Sequence, residues 1–406
     1  MTEQYSNRYR WVVLAAFWLT YAGMGAAMSS MAPLVTPILS DLKMSYGEMG
    51  IILGTWQLAF IPFSLIAGIA LDKWGIHKTL FAGALIVALS VTLRYYAAGF
   101  ITLLPIVALF GVGGPLIATA APKLVSMWFA GHDRATAVGI YTTAPSVGTF
   151  SALAATNSLI MPLMGQSWRL TSVFYGLLVF VTALLWLLFG RDTGQTRNAS
   201  EISLWSVFVG ILRVHNVRVV LVGALLVTFI IHGFGQWLPK MLEDAGISAQ
   251  SAGLMASVAS IAGIPSALVI PRVVPRHLRS RTIALFAALI SAGVLISASA
   301  SYWSIVGLVL YGVALGAFFP LLMLVLIDDP RVGAGAMGLA GGILFAVAQI
   351  GGFAGPAVTG NLVAATGSFH AGIWALATAG ALVAALSFAL RMPGLEPSVV
   401  KGTQTQ

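Results

Sequence analysis

The 406-residue chain has no cysteine, which excludes disulfides, thiolate metal sites and cysteine nucleophiles together. Charge is almost as scarce, at 8% of residues, whereas a soluble domain carries about 25%. With 59% hydrophobic residues and a mean hydropathy of +0.94, the chain cannot wrap a water-soluble core. Acids are the rarest charge: there are 12, and none falls well inside a long apolar run. That argues against a buried carboxylate as proton carrier and equally against a cationic cargo that needs a fixed counter-charge. No HEXXH, paired intramembrane aspartates, Gly-x-Ser-x-Gly elbow or Walker loop is present, so neither an intramembrane enzyme nor ATP-driven chemistry is indicated. No cofactor is implied, and five of the six histidines lie in loops or at the ends of apolar runs, which is no metal site.

What the chain has in abundance is membrane-length apolar sequence. Runs at about 11–33, 48–71, 79–98, 101–128, 135–158 and 168–190 are followed by six more at about 217–239, 248–270, 282–300, 302–327, 333–358 and 370–391. Each approaches the roughly 20 residues a helical span needs, and none alternates as a β-barrel strand would. The expected fold is an all-α integral membrane protein of twelve transmembrane helices. The first run is read as an uncleaved helix rather than a signal peptide.

The formal charge of +9 then acquires a direction. With the N-terminus in the cytoplasm, cytoplasmic segments hold 16 of the 21 Lys and Arg, and the opposite side holds Lys43, Arg94, Arg169 and Lys240. The bias predicts that both termini are cytoplasmic. The excess is an orientation signal and a match to anionic lipid heads, not a nucleic-acid footprint. The predicted organisation is a six-helix half over 1–190, a linker over 191–216, a second six-helix half over 217–391 and a tail over 392–406. Within the linker, 204–212 is too short to cross and is expected to lie along the interface. Asp133-Arg134 before span five rhymes with Asp329-Pro330-Arg331 before span eleven, the pseudo-repeat expected of a carrier with a midplane site.

The loop GIALDKWGIHK, Gly68 to Lys78, resembles the signature loop of the major facilitator superfamily, although His77 and Lys78 stand where several basic residues are common. WFAGHDRATAVGI, Trp128 to Ile140, is similar to that family's loop between spans four and five. Gln236 to Pro265, the LRYY at 93–96 and Pro122-Lys123 resemble the cyanate and 2-nitroimidazole permease group. The resemblance implies two pseudo-symmetric six-helix halves, alternating access in a bacterial inner membrane, and a cytoplasmic latch between Asp72 and Arg134.

Within the spans, the charged or titratable candidates are Lys123, Arg94 and His232. Lys123 is read either as a fixed cation for an anionic cargo or as a residue snorkelling to lipid heads. Arg94 is read either as a snorkelling member of an aromatic belt with Tyr95 and Tyr96 or, as the subgroup resemblance implies, as a cargo-binding or gating residue. His232 could carry a proton or simply be a polar helix contact. Gln57, Tyr141, Thr142, Gln236, Trp237 and Tyr311 are the polar and aromatic candidates for a cavity lining. Glycine pairs 338/342 and 351/355 predict close helix packing. These residues predict a monomeric secondary transporter of a small polar, anionic solute, with a proton as the candidate coupling ion. Efflux of neutral or hydrophobic compounds is the alternative, and a non-transporting receptor or scaffold a further one.

Overall fold

The computed structural model describes residues 8–192, 210–299 and 303–391. The expected interfacial segment at 204–212 and the tail at 392–406 fall wholly or mostly outside them. Every regular element among the described residues is helical. The principal helices are α1 (Tyr9–Ser29), α2 (Val35–Leu42), α3 (Tyr46–Leu93), α4 (Phe100–Ala118), α5 (Ala120–Trp128), α6 (Gly131–Ala155) and α7 (Trp168–Phe189). They are followed by α8 (His215–Asp244), α9 (Ala249–Val273), α10 (Arg279–Ser297), α11 (Trp303–Asp328), α12 (Gly333–Thr366) and α13 (His370–Ser387).

Ten helical stretches among the described residues are long and apolar enough to cross a membrane. The difference from the twelve expected has two physical sources. Tyr46–Tyr96 is one stretch of 51 residues, far more than a bilayer needs, and it reverses at Gly75, whose φ of 80° is open to glycine at little cost. Arg169 proves the reversal: it donates to Tyr95 O at 2.6 Å and forms an ion pair with Asp41 at 2.8 Å, so both ends of α3 reach one side of the bundle. The second source is α6, which is long enough at 25 residues but carries too many hydroxyl, charged and glycine residues to register as apolar.

Local sequence explains where the helices start. Ser45 accepts from the Glu48 amide, and the Glu48 carboxylate accepts from the Ser45 amide at 2.8 Å, a reciprocal cap that opens α3. After Gly75 the chain restarts under Asp192, whose carboxylate accepts from the Ile76 and His77 amides at 2.9 and 3.1 Å. Ser167 and Ser248 cap α7 and α9. The expected span at 101–128 breaks at Thr119, whose hydroxyl donates to Pro115 O at 2.6 Å.

Contacts between the helices up to Asp192 and those from 210 onward sit away from the termini. Thr36 donates to Glu243, Tyr46 donates to Asp244 at 3.3 Å, and Asn157 donates to Ala249 O at 3.2 Å. Gly50 lies so close to α12 that a Cβ there would stand 2.4 Å from Pro356 O. No polar contact joins the two sets near the termini among the described residues. The bundle is therefore closed at its far end and parted at the end that carries the termini.

Candidate solute cavity

Between the two sets of helices lies a cavity of about 480 Å³, within the usual range for a small-molecule site. It extends toward the termini as far as Leu268, five residues or roughly 8 Å from the Val273 end of α9. One wall is a hydroxyl stripe on α6, Thr142, Ser146 and Thr149, joined by Ser29 of α1. The opposite wall, from α9 and α11, is mostly apolar, interrupted by Ser260 and Tyr311. Its helices touch backbone to backbone, since a Cβ at Gly312 would stand 2.3 Å from Ala259 O and one at Gly316 would stand 2.0 Å from Gly263 O. His232, Gln236 and Tyr311 bring the remaining polar groups to the lining.

A much smaller annex of about 10 Å³, room for about one water, adjoins the cavity and shares Met28 and Gln236 with it. Arg94 and Trp56 also line it, with Met31, Leu53, Val107 and Phe110 as its apolar remainder. Arg94 is only 3% exposed, and its Nε and Nη1 are buried without a hydrogen-bond partner. The side chain therefore points into the bundle and does not snorkel; Tyr95 and Tyr96 face outward instead, at 41% and 72% exposure. Trp56 Nε1 and Gln57 Oε1 are likewise buried and unpartnered close by. The Trp56 ring packs edge-on against His232 at 5.6 Å, and Gln57 donates to Gly352 O at 3.2 Å.

Other expectations are corrected. Lys123 does not line the cavity: its ammonium is 2.7 Å from Asp72 and donates to Leu71 O at 2.8 Å. That pair replaces the expected Asp72–Arg134 latch, because Arg134 folds back to donate to Phe129 O and Ser126 O, while Asp133 pairs with Arg10. Trp237 is fully buried, donates to Pro356 O at 3.0 Å and stacks on Tyr46, away from the cavity. Tyr141 turns toward Phe17 rather than the lining, at 6.3 Å between ring centres. Gln57 is one layer behind the cavity, whereas Thr142, Gln236, Tyr311 and His232 line it. Sequence reading missed Ser29, Ser146, Thr149 and Ser260. The spacing of 142, 146 and 149 places three of the hydroxyl positions on one helix face and could have found the stripe.

A helical bundle parted at one end around a solute-sized cavity, with facing walls from the earlier and later helices, defines the class of alternating-access membrane carriers. The chain belongs to the Major Facilitator Superfamily, whose sequence profile matches residues 17–356. It is 28% identical to the hexuronate transporter of Bacillus subtilis (strain 168), covering 89% of each chain. It is 25% identical to the 2-nitroimidazole transporter of Escherichia coli (strain K12), covering 71% of this chain and 72% of that one. The fold is shared with a bacterial homologue of the human lysosomal transporter Spinster, crystallised in an inward-facing, occupied conformation. That match has a TM-score of 0.70 at 19% identity and covers 95% of both chains.

Proposed function

We propose that the protein is a secondary transporter that carries a small anionic solute, a carboxylate, across the bacterial inner membrane by alternating access. The observation that carries this reading is the Arg94 guanidinium, buried in the bundle with two N–H-bearing nitrogens unpartnered. An uncompensated buried cation costs several kcal/mol, and an arriving carboxylate that accepts from its fork relieves that cost. Gln236 and Met28 line both the annex and the cavity, and the anion's approach to Arg94 is placed past those two side chains. With the termini in the cytoplasm, as the basic residues predict, the parted end faces inward. The helices before Asp192 and those after 210 act as the two rocking halves, and the protein works as a monomer. His232, on the cavity lining, is the candidate for a coupling proton.

The hexuronate relative supports an acidic cargo. The apolar α9–α11 wall favours one alternative, export of neutral or hydrophobic compounds, which leaves Arg94 without a task. The test is thermal stabilisation of purified protein by carboxylates and their amides, with Arg94→Met and Lys123→Met. Stabilisation by carboxylates that is lost in Arg94→Met and kept in Lys123→Met supports the reading. Equal stabilisation by the amides, surviving Arg94→Met, moves export of neutral compounds into its place.

A further inference from the structure

We infer that the cargo is an amphipathic monocarboxylate, with one carboxylate and an aromatic or branched aliphatic body poor in hydroxyls, rather than a sugar acid or a dicarboxylate. This rests on the reading that Arg94 receives an anion.

Charge sets the first limit. Among the described residues, Arg94 is the cation on the annex beside the cavity, and it has no acidic partner; Lys123 is held by Asp72, Lys240 by Asp244, and Arg272, toward the open end, donates to Leu268 O at 2.7 Å. A second carboxylate would enter this interior with no partner, at a cost of several kcal/mol. No Asp or Glu lines the cavity, so an amino group has no counter-charge either.

Hydrogen-bonding capacity sets the second limit. The hydroxyl stripe looks suited to a polyol, but most of it is already engaged. Thr142 donates to Gly139 O at 3.0 Å, Thr143 donates to Ile140 O at 2.7 Å, and Ser29 and Thr149 bond each other at 2.9 Å. Trp18 Nε1 donates to Thr143 as well, which occupies an acceptor. The stripe's oxygens can still accept, but its donors are mostly spent, so the groups that can donate to a cargo are Ser146, Ser260, His232, Gln236, Tyr311 and one hydroxyl of the Ser29–Thr149 pair. A sugar acid carries hydroxyls on every face, each of which must replace its water partners, and an unsatisfied buried hydroxyl costs about 1 to 3 kcal/mol. Across from the stripe, Ala256, Ala259, Ile264 and Leu315 offer no polar side-chain group, and Ser260 and Tyr311 are the polar side chains that wall contributes. That wall suits the apolar face of a ring or branched chain, placed so that the carboxylate reaches toward Gln236 and Arg94.

The test is solute counterflow in proteoliposomes with radiolabelled benzoate, phenylacetate, isovalerate, glucuronate and galactarate, on wild type, Arg94→Met and Arg94→Lys. The expected result is that at least one of the first three exceeds glucuronate and galactarate tenfold or more, with the signal lost in Arg94→Met and partly restored in Arg94→Lys. Glucuronate or galactarate carried as well as or better than all three, and lost in Arg94→Met, overturns this inference and leaves the anion reading standing. No dependence on Arg94 for any carried acid overturns both. Thermal unfolding of each variant with and without benzoate separates loss of binding from loss of fold, and Leu315→Ser adds an independent arm. That variant should lower benzoate flux and leave or raise glucuronate flux; a fall in both alike counts against the apolar-face assignment.

Discussion

Gly50→Ala probes the seam that closes the far end. The new Cβ would stand 2.4 Å from Pro356 O and 3.2 Å from both the Ala357 and Gly360 Cα atoms, all backbone. Reaching ordinary contact near 3.4 Å requires about 1 Å of separation between α3 and α12. Overpacking of this kind costs about 1 to 3 kcal/mol. The helix-propensity gain of about 1 kcal/mol from replacing glycine is present whichever way the carrier faces, so it cancels. The strain belongs only to the state in which the two sets of helices touch at this seam, and the equilibrium should move about 5- to 150-fold toward a far-end-open state. Because the chain has no cysteine, Leu163→Cys and Ala365→Cys introduce the only thiols, on exposed positions of the far end in the two sets. Spin labels there should gain a longer distance component in Gly50→Ala. Gly351→Ala is the control: its Cβ would meet Leu225 O at 2.0 Å, a contact between α12 and α8 within one set. It should lower thermal stability without changing the distances. An unaltered distribution in Gly50→Ala, or the same change in both variants, would refute the seam argument.

A double-mutant cycle of Asp72→Asn and Lys123→Met should return a coupling of only about 0 to 1 kcal/mol in thermal stability, because the Asp72 carboxylate is largely exposed, at 63%. A coupling of several kcal/mol would make the pair a buried structural bridge. Asn216→Ala removes donors to Asp329 at 2.9 Å and Arg391 O at 2.8 Å and an acceptor for the Arg391 amide at 2.9 Å; it should cost about 1 to 3 kcal/mol, read as a lower unfolding midpoint. Burial pushes Asp329 up, but the Arg331 and Asn216 bonds more than offset it and hold the carboxyl below its ordinary range. Its stabilisation is therefore present above the unfolded pKa of about 3.9 and lost as pH falls through the folded value. Removing it with Asp329→Asn should flatten the acid side of a stability–pH curve without altering its neutral plateau's slope. Finally, closing the cavity around an unpaired Arg94 costs more than closing it around a neutralised one. Unlabelled carboxylate inside liposomes should therefore accelerate entry of labelled carboxylate, and Arg94→Met should abolish the acceleration.

Much of this fold was legible because bilayer thickness ties apolar run length to helix length, and local chemistry marks the breaks. Gly75 between Asp72 and His77 signals the reversal, while the Ser45–Glu48 cap that opens α3 was not read from the sequence. Glycines 351 and 355 were read as packing positions, and both press onto α8. The site was less legible because a cation's role depends on what stands beside it in space. Lys240 has Asp244 at helical i+4 spacing, so its partner is visible in sequence. Lys123 has a partner 51 residues away across a helix reversal, and periodicity carries no sign of that contact. Arg94 sits between leucine and tyrosines, the usual company of a snorkelling residue. Its inward turn depends on the 3₁₀ turn Arg94–Tyr96 and on Arg169 gripping Tyr95 O and Ala97 O from α7.

That grip also bears on how cargo binding couples to movement. Arg94 is carried by the earlier helices and Gln236 by α8, and they line the same annex. On the proposed reading, a carboxylate between them would accept from a guanidinium on one side and an amide on the other, and so would attract the two sets of helices toward each other. A solute bound to one set alone would stabilise both facings equally and shift nothing. An anion shared across the seam stabilises the closed arrangement of both sets over either open one, and that difference in binding is what lets a solute drive reorientation. The neighbouring Trp56–His232 contact and the Gln57 bond to Gly352 O also cross between the two sets. Displacement of Gln236 by an anion would therefore be felt next to the groups that hold the middle of the bundle together.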